Sequence, residues 1–372
     1  MLVVGFAAVC FLPALVVSAL STGFIRRWAP AWGLVDQPGA RKVHHVPKPL
    51  GGGIGIWLGV VCPLAAAHLV VYLIVHQSSW KAWVPAEIGV DWEAVLQRAG
   101  RMWTVILAGT VLAGMGLWDD FRNLSWKPRL VVQLGVTILL VASGIRATVF
   151  VALPWFGIMM TVLWILVLVN AFNFLDNMDG LSSGIGLIAS LIFAAVMLTR
   201  TGGPRWLVGG VLIVLAGSLA GFLIFHNWSP AKIFMGDAGS YFIGLMLASL
   251  TVLGTFYDEQ IGKPHVMLAP LCVLAVPLYD FTSVVLIRLR EGRSPFEGDK
   301  NHFSHRLVEL GLKPRNAVLT IHLATLTTGL GALLLYHVDG WSGASLIIAL
   351  IVCVLAIIAI LETVGRKNNG HE

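Results

Sequence analysis

Apolar runs of about twenty residues recur along the whole chain. That recurrence constrains the fold more than any other feature. Some 30 Å of hydrocarbon needs roughly twenty helical residues to cross. A backbone inside it must satisfy its own hydrogen bonds, which leaves helices or closed barrels. Eleven runs are predicted to span, at about 2–25, 52–75, 102–118, 129–145, 156–172, 181–199, 207–225, 240–256, 267–287, 317–336 and 344–362. Of the 372 residues, 57% are hydrophobic and 12% charged, against about 25% charged in a soluble domain. The expected fold is an all-α polytopic membrane helical bundle, with residues 1–372 as a single integral-membrane domain of about 11 transmembrane helices. No separate soluble domain and no nucleic-acid partner are expected. Cys10, Cys62, Cys272 and Cys353 each lie inside an apolar run and form no CxxC. They read as buried thiols, neither a disulfide framework nor a zinc site. The first run has no Lys or Arg before it, so it reads as a retained span and not a secretory signal.

The basic residues give the expected orientation. With eleven spans, 18 of the 25 Lys and Arg residues fall on one side. That side takes the loops at about 26–51, 119–128, 173–180, 226–239 and 288–316 and the C-terminal tail, of which 173–180 carries no Lys or Arg. The positive-inside rule makes that side cytoplasmic. The N-terminus is then outside and the C-terminus cytoplasmic. The loop at about 76–101 carries Trp80, Trp83 and Trp92, which read as an interfacial belt.

On the cytoplasmic side, Asp119, Asp120, Asp176, Asp179 and Asp237 all lie at the ends of apolar runs. Carboxylates at the mouth of a membrane helix are costly and are functional candidates by default. Asp119-Asp120 cannot both enter one site from a regular helix, so one is expected to face the site and the other a nearby base. A solvated loop with surface ion pairs is the plainer alternative. In the segment Asn170-Ala-Phe-Asn173-Phe-Leu-Asp176-Asn-Met-Asp179-Gly180, polar residues recur every third position, which in a helix shares one face. Oxygen donors at this density suit a hard cation such as Mg²⁺; polar capping of a helix end is the alternative. Phe234-Met-Gly236-Asp237-Ala-Gly239-Ser240 sets a carboxylate between glycines where the next helix begins, which suits phosphate or metal, or a simple N-cap.

Two basic loops complete the candidates. Asp299-Lys-Asn-His302-Phe-Ser-His305-Arg306 could bind phosphate or screen developing negative charge. Zinc lacks a third ligand here, and a plain basic loop is the bland reading. The loop from Gly33 to Gly53 includes Asp36, Lys42, His44 and Lys48 and ends in Gly51-Gly52-Gly53. It would suit a pyrophosphate or an anionic lipid head, or serve as a juxtamembrane basic patch. Asp280 is expected to pair with Arg288, Arg290 or a residue of the site.

Taken together, LVDQPGARKVHHVPKPLGGG, LWDDFRNLSWKPRL, NAFNFLDNMDGLSSG, KIFMGDAGS, PLYDF and GDKNHFSHRLVELGL follow one another from about Gly33 to Leu312. In that order they resemble the motifs of the polyprenyl-phosphate N-acetylhexosamine-1-phosphate transferases, glycosyltransferase family 4. The resemblance implies a multi-pass enzyme of the inner (cytoplasmic) cell membrane with ten or eleven spans. Its site would face the cytoplasm and depend on Mg²⁺, with Mn²⁺ as the substitute. A UDP-sugar would be the donor and a polyprenyl phosphate lipid the acceptor, with UMP released. Position by position, Asp237 becomes the expected metal ligand with Asn173 beside it. Asp176 and Asp179 would serve the nucleotide, and Asp119 and Asp120 the lipid phosphate. His302, His305 and Arg306 would contact pyrophosphate or sugar. Asn170, Lys42, His44, Lys127, Gly236 and Ser240 are the expected substrate-binding residues. A homodimer is among the expected assemblies.

Within that family, peptidoglycan-precursor translocases typically show three consecutive histidines in the last motif. This chain has His302-Phe-Ser304-His305-Arg306. It looks more like the branch that uses UDP-N-acetylglucosamine to start cell-envelope glycans, many of which show His-x-His-His, with Ser304 at the third of those positions. Three hypotheses follow: a GlcNAc-1-phosphate transferase, a phospho-N-acetylmuramoyl-pentapeptide transferase, and an ion-coupled transporter. A transporter built from inverted repeats would place its polar residues near mid-bilayer, not at one face.

Overall fold

A computed structural model describes residues 2–38, 46–81, 91–147, 153–201, 205–254, 256, 262–295 and 301–368. The apolar runs form α1 (Leu2–Trp28), α2 (Gly52–His76), a short α3 (Ser78–Lys81), α4 (Trp92–Arg122), α5 (Trp126–Ala142), α6 (Pro154–Leu175) and α7 (Leu181–Thr199). Then come α8 (Trp206–Phe222), α9 (Gly236–Gly254), α10 (Ala269–Val273), α11 (Ala275–Arg290), α12 (Phe303–Glu309), α13 (Pro314–Leu335) and α14 (Gly340–Asn368). Two-residue strands β1 (Val35–Asp36) and β2 (Lys48–Pro49) pair antiparallel between α1 and α2.

Among the described residues, nine helices are long and apolar enough to cross a membrane. A tenth candidate is a bent pair, Pro264–Val273 with Ala275–Arg290, turned by 64°. The break has a cause in Pro277, which offers no N–H to the carbonyl of Val273. Helix α5 has 17 residues, about 26 Å of rise. Each of the eleven expected runs coincides with a helix or a broken helix, and nine of these, or ten with the bent pair, are long and apolar enough to cross. Helix α4 starts ten residues before the apolar run it contains, because Asp91 caps it by accepting the Ala94 amide at 2.9 Å.

The centre of the bundle is α7, α8 and α9; α8 and α9 are each 83% buried over their spanning windows, against 11% for α1 and 17% for α14. Helix α9 packs against α4 and α6, so three helix ends that carry aspartates meet. The loop before α2 is strapped to the segment entering α9. Phe234 N donates to Pro49 O, Gly52 N to Phe234 O and Gly53 N to Met235 O, each at 2.9 Å. A Cβ on Gly53 would overlap the backbone of Gly239. Gly52 and Gly53 thus allow α2 to approach α9.

Candidate active site

At one end of the bundle lies a cavity of about 750 Å³. All five aspartates line it: Asp119 and Asp120 from the last turn of α4, Asp176 and Asp179 after α6, and Asp237 from the first turn of α9. Asp36, Lys48, Arg129, His305 and Arg315 join them. Cations thus stand beside a concentration of carboxylates, an arrangement suited to polyanionic phosphates held with a counter-cation.

The two members of the Asp119-Asp120 pair are used differently. Asp119 is buried and accepts the Leu124 amide at 2.6 Å and Arg129 Nη1 at 2.9 Å. Asp120 turns toward α9, where its Oδ1 accepts the Asp237 amide at 2.9 Å. The helix N-terminus that seemed suited to phosphate therefore receives a carboxylate of the chain itself. Gly236 makes this possible: its φ is 74°, and a Cβ there would overlap the Asp120 carboxylate.

Asp237 is held from two sides. Asn173 Nδ2 donates to its Oδ1 at 2.7 Å, and Arg129 lies 3.5 Å from its Oδ2. Ser240 is fully buried and accepts Asn173 Nδ2 at 3.1 Å; it braces Asn173 from outside the cavity lining. Asp179 accepts the Ala231 amide at 2.8 Å and faces Lys48 at 3.9 Å. Burial, and next the Asp237 carboxylate, push Asp176 up to about 8.

Several expected substrate contacts are displaced. Lys127 is exposed, with its ammonium 5.9 Å from the Trp126 ring centroid. Arg129 is the base that reaches the aspartates: two residues along a helix turn a side chain through about 200°. Asn170 lies one turn below Asn173 and bonds Gln133 Oε1 at 2.8 Å, which puts it inside the bundle and outside the cavity lining. His302 is buried, 3.1 Å from Asp280 Oδ2, and Asp280 Oδ1 accepts the Phe303 amide at 2.7 Å. Asp280 thus pairs with the His302 segment, not with Arg288 or Arg290. Arg306 is buried and donates to Ser283 Oγ at 3.0 Å. His302 and Arg306 therefore anchor α12 against α11, and His305 is the member of that motif that lines the cavity. Ser304 Oγ donates to Asn177 Oδ1 at 2.6 Å, tying α12 to the loop after α6. Lys42 and His44 lie outside the described residues.

Sequence reasoning singled out neither Arg129 nor Arg315 as a site residue. In the sequence Arg129 is one of the bases that follow Asp119-Asp120, and Asp119 does take a nearby base as expected; Arg315 is one of the basic residues of the loop at about 288–316. Asn227 was missed as well: its Oδ1 accepts the Gly180 amide and Ser183 Oγ, both at 2.9 Å. It sits at the end of a π-helical turn, Leu223–Asn227, a deviation common near functional sites.

The donor set fits a hard cation. The site's acceptors are carboxylate and amide oxygens, and Asp120 Oδ2 is buried without a hydrogen-bond partner. Among the described residues, no group of three or more His, Cys, Asp or Glu side chains is placed to hold a metal ion by itself. Mg²⁺ does not need one, since it usually keeps waters and binds through one or two carboxylates plus substrate phosphates.

The sequence pattern of glycosyl transferase family 4 matches residues 102–255. A probable undecaprenyl-phosphate N-acetylglucosaminyl 1-phosphate transferase of Bacillus subtilis strain 168 is 31% identical over 367 residues, covering 96% of this chain and 93% of the relative. The decaprenyl-phosphate N-acetylglucosaminephosphotransferase of Mycobacterium tuberculosis H37Rv is 33% identical over 335 residues, 84% of this chain and 78% of its own. The chain belongs to glycosyl transferase family 4. A third relative, the undecaprenyl-phosphate alpha-N-acetylglucosaminyl 1-phosphate transferase of Escherichia coli K12, is 29% identical over 330 residues, 84% of this chain and 80% of its own. These names place the chain on the N-acetylglucosaminyl-1-phosphate transferase branch of the family. The segment matched to glycosyl transferase family 4 contains all five aspartates, Arg129 and Asn173. Lys48, His305 and Arg315 complete the cavity from outside it.

Proposed function

We propose that this member of glycosyl transferase family 4 moves N-acetylglucosamine-1-phosphate from UDP-N-acetylglucosamine to a polyprenyl phosphate. The products are a polyprenyl-diphosphate sugar and UMP, as a first membrane step of cell-envelope glycan synthesis. The observation that carries the reading is the convergence of six aspartates, Asp36 included, and three cations on one cavity at the end of membrane-spanning helices. The names of the relatives supply the acceptor and the sugar. The charge asymmetry of the loops supports a site that faces the cytoplasm from the inner membrane, where UDP-sugars are made.

The chemistry asks little of a general base. A phosphate monoester has a second pKa of about 6, so the lipid phosphate is already largely dianionic at pH 7. One of its oxygens attacks the β-phosphorus of the UDP-sugar in line. The bond from that phosphorus to the bridging oxygen breaks, and UMP departs with the electron pair. The anomeric C–O bond stays intact. Lys48, Arg129 and Arg315 draw the two anionic substrates together and offset their repulsion. Asn173 and Arg129 fix Asp237, and Asp120 fixes the entry to α9. Mg²⁺, when bound by Asp237 with Asp120 or Asp176, would neutralise the pyrophosphate and its leaving group.

Donor competition tests the reading. Purified protein is given polyprenyl phosphate, Mg²⁺, and either UDP-N-acetylglucosamine or the UDP-muramoyl-pentapeptide. Lipid-linked product from the first donor alone supports the proposal. Product from the second alone would make the chain a peptidoglycan-precursor enzyme.

A further inference from the structure

Helix α12 has seven residues, too few to hold a helix without outside support. What it touches therefore sets its orientation. His302 and Arg306, four positions apart, bond Asp280 and Ser283 of α11. Ser304 lies between them in sequence, and two residues of helix turn its side chain about 200° from either. It meets a different element. Its Oγ donates to Asn177 Oδ1 at 2.6 Å, across 127 positions of sequence, in the loop after α6. Helix α12 is thus held on two sides. The residue that follows Ser304 is His305, which lines the aspartate cavity.

Asn177 follows Asp176 and lines the same cavity. Its amide is engaged at both ends. Oδ1 accepts Ser304, and Nδ2 donates to Phe174 O at 2.7 Å, in the last turn of α6. The His302 and Phe174 rings meet edge-on, with centroids 5.6 Å apart, a second tie between α12 and the end of α6. Ser304 itself is 1% exposed and stands outside the cavity lining. A hydroxyl so placed does not reach substrate. Whatever it contributes to the reaction passes through Asn177 or His305.

We propose that Asn177 and Ser304 are positioning residues that set the His305 ring against the UDP-sugar donor. The inference rests on the transfer reaction proposed above. Helix α12 belongs to the segment between α11 and α13, outside the spanning helices. A water-soluble donor arrives from that side, whereas the lipid phosphate arrives from the bilayer. The imidazole can offer an N–H to a diphosphate or sugar oxygen. Without the Ser304 bond, α12 is free to turn about its α11 face and carries His305 with it. A displacement of about 1 Å is enough to weaken a contact of this kind.

Ser304→Ala in the full chain removes one oxygen and adds no volume. The KM for UDP-N-acetylglucosamine should rise about five- to tenfold, the scale of one hydrogen bond, with the KM for polyprenyl phosphate within about twofold of wild type. A merely structural loss would lower kcat through the active fraction and leave both KM values. Isothermal titration of UDP-N-acetylglucosamine with Mg²⁺ into wild type, S304A, H305A and S304A/H305A needs no turnover. S304A should weaken binding about five- to tenfold in the wild-type background, and less than about twofold once His305 is replaced. Asn177→Ala, which removes the same bond from its half-buried side, should repeat that pattern if S304A does not fold. Equal weakening in both backgrounds, or an unchanged donor KM, overturns this inference and leaves the transfer reaction standing. A wild-type chain that makes no lipid-linked product overturns both together.

Discussion

The Asn173 side-chain amide donates to Asp237 Oδ1 at 2.7 Å, across 64 positions of sequence. That bond joins the C-terminal end of α6 to the first turn of α9 and orients the carboxylate expected to hold the metal. Asp237→Ala is expected to lower transfer by about a thousandfold or more, the scale of losing a positioned electrostatic group. Asn173→Ala keeps the carboxylate but frees its orientation, and about ten- to a hundredfold should be lost. Initial rates of lipid-linked product formation check both. Near-normal activity in Asp237→Ala would remove it from the site.

Arg129 and Lys127 give a sharper contrast, since only geometry separates them. Arg129 contacts Asp119 and Asp237 and lines the cavity, while Lys127 faces outward. Arg129→Gln should cost at least about tenfold in rate, because a charged hydrogen bond and a substrate-facing cation go together. Lys127→Gln should stay within about twofold of wild type. Equal losses from the two would contradict the placement of α5.

Gly236→Ala adds one methyl group. The added Cβ meets the Asp120 carboxylate, and φ 74° strains any L side chain. The backbone penalty alone is about 1–2 kcal/mol. Activity should fall more than stability does, because the displaced group belongs to the site. Paired rate and thermal-melting measurements separate the two effects.

Much of this was legible in sequence. Apolar length gave the helices, and the charge asymmetry placed Asp119, Asp120, Asp176, Asp179 and Asp237 together at one end. What escaped was direction. Helical phase, not proximity in sequence, turns Arg129 inward and Lys127 outward. Tertiary contacts set His302 and Arg306 against α11 and His305 in the cavity lining. The Asp280–His302 pair spans 22 positions, and no local pattern marks it. The packing of Gly53 against Gly239 is likewise invisible in sequence, since close backbone approach and ligand approach use the same residue.

Asp280 is predicted to matter through stability. It accepts the Phe303 amide and holds His302. Asp280→Ala leaves a buried N–H unpaired, at a cost of about 1–3 kcal/mol, and loosens α12. Thermal melting in detergent should show a lowered midpoint, with Asp280→Asn restoring part of it.

Cation binding should depend on pH. Asp176 sits at about 8 without a cation, raised by burial and by Asp237. Below that pH it holds a proton that a cation must displace, so Mg²⁺ affinity should rise as pH increases through 8. Thermal stabilisation by Mg²⁺, compared at pH 6.5 and 9, reads this directly. A shift that is larger at the lower pH would contradict it.

The most direct test follows two labels in one reaction. UDP-N-acetylglucosamine carrying ³H in the sugar and ³²P at the β-phosphorus is incubated with the purified chain, polyprenyl phosphate and Mg²⁺. Both labels should enter the lipid extract in equal molar amounts, with one UMP released for each. Lipid carrying ³H without ³²P, or no labelled lipid at all, would contradict the account.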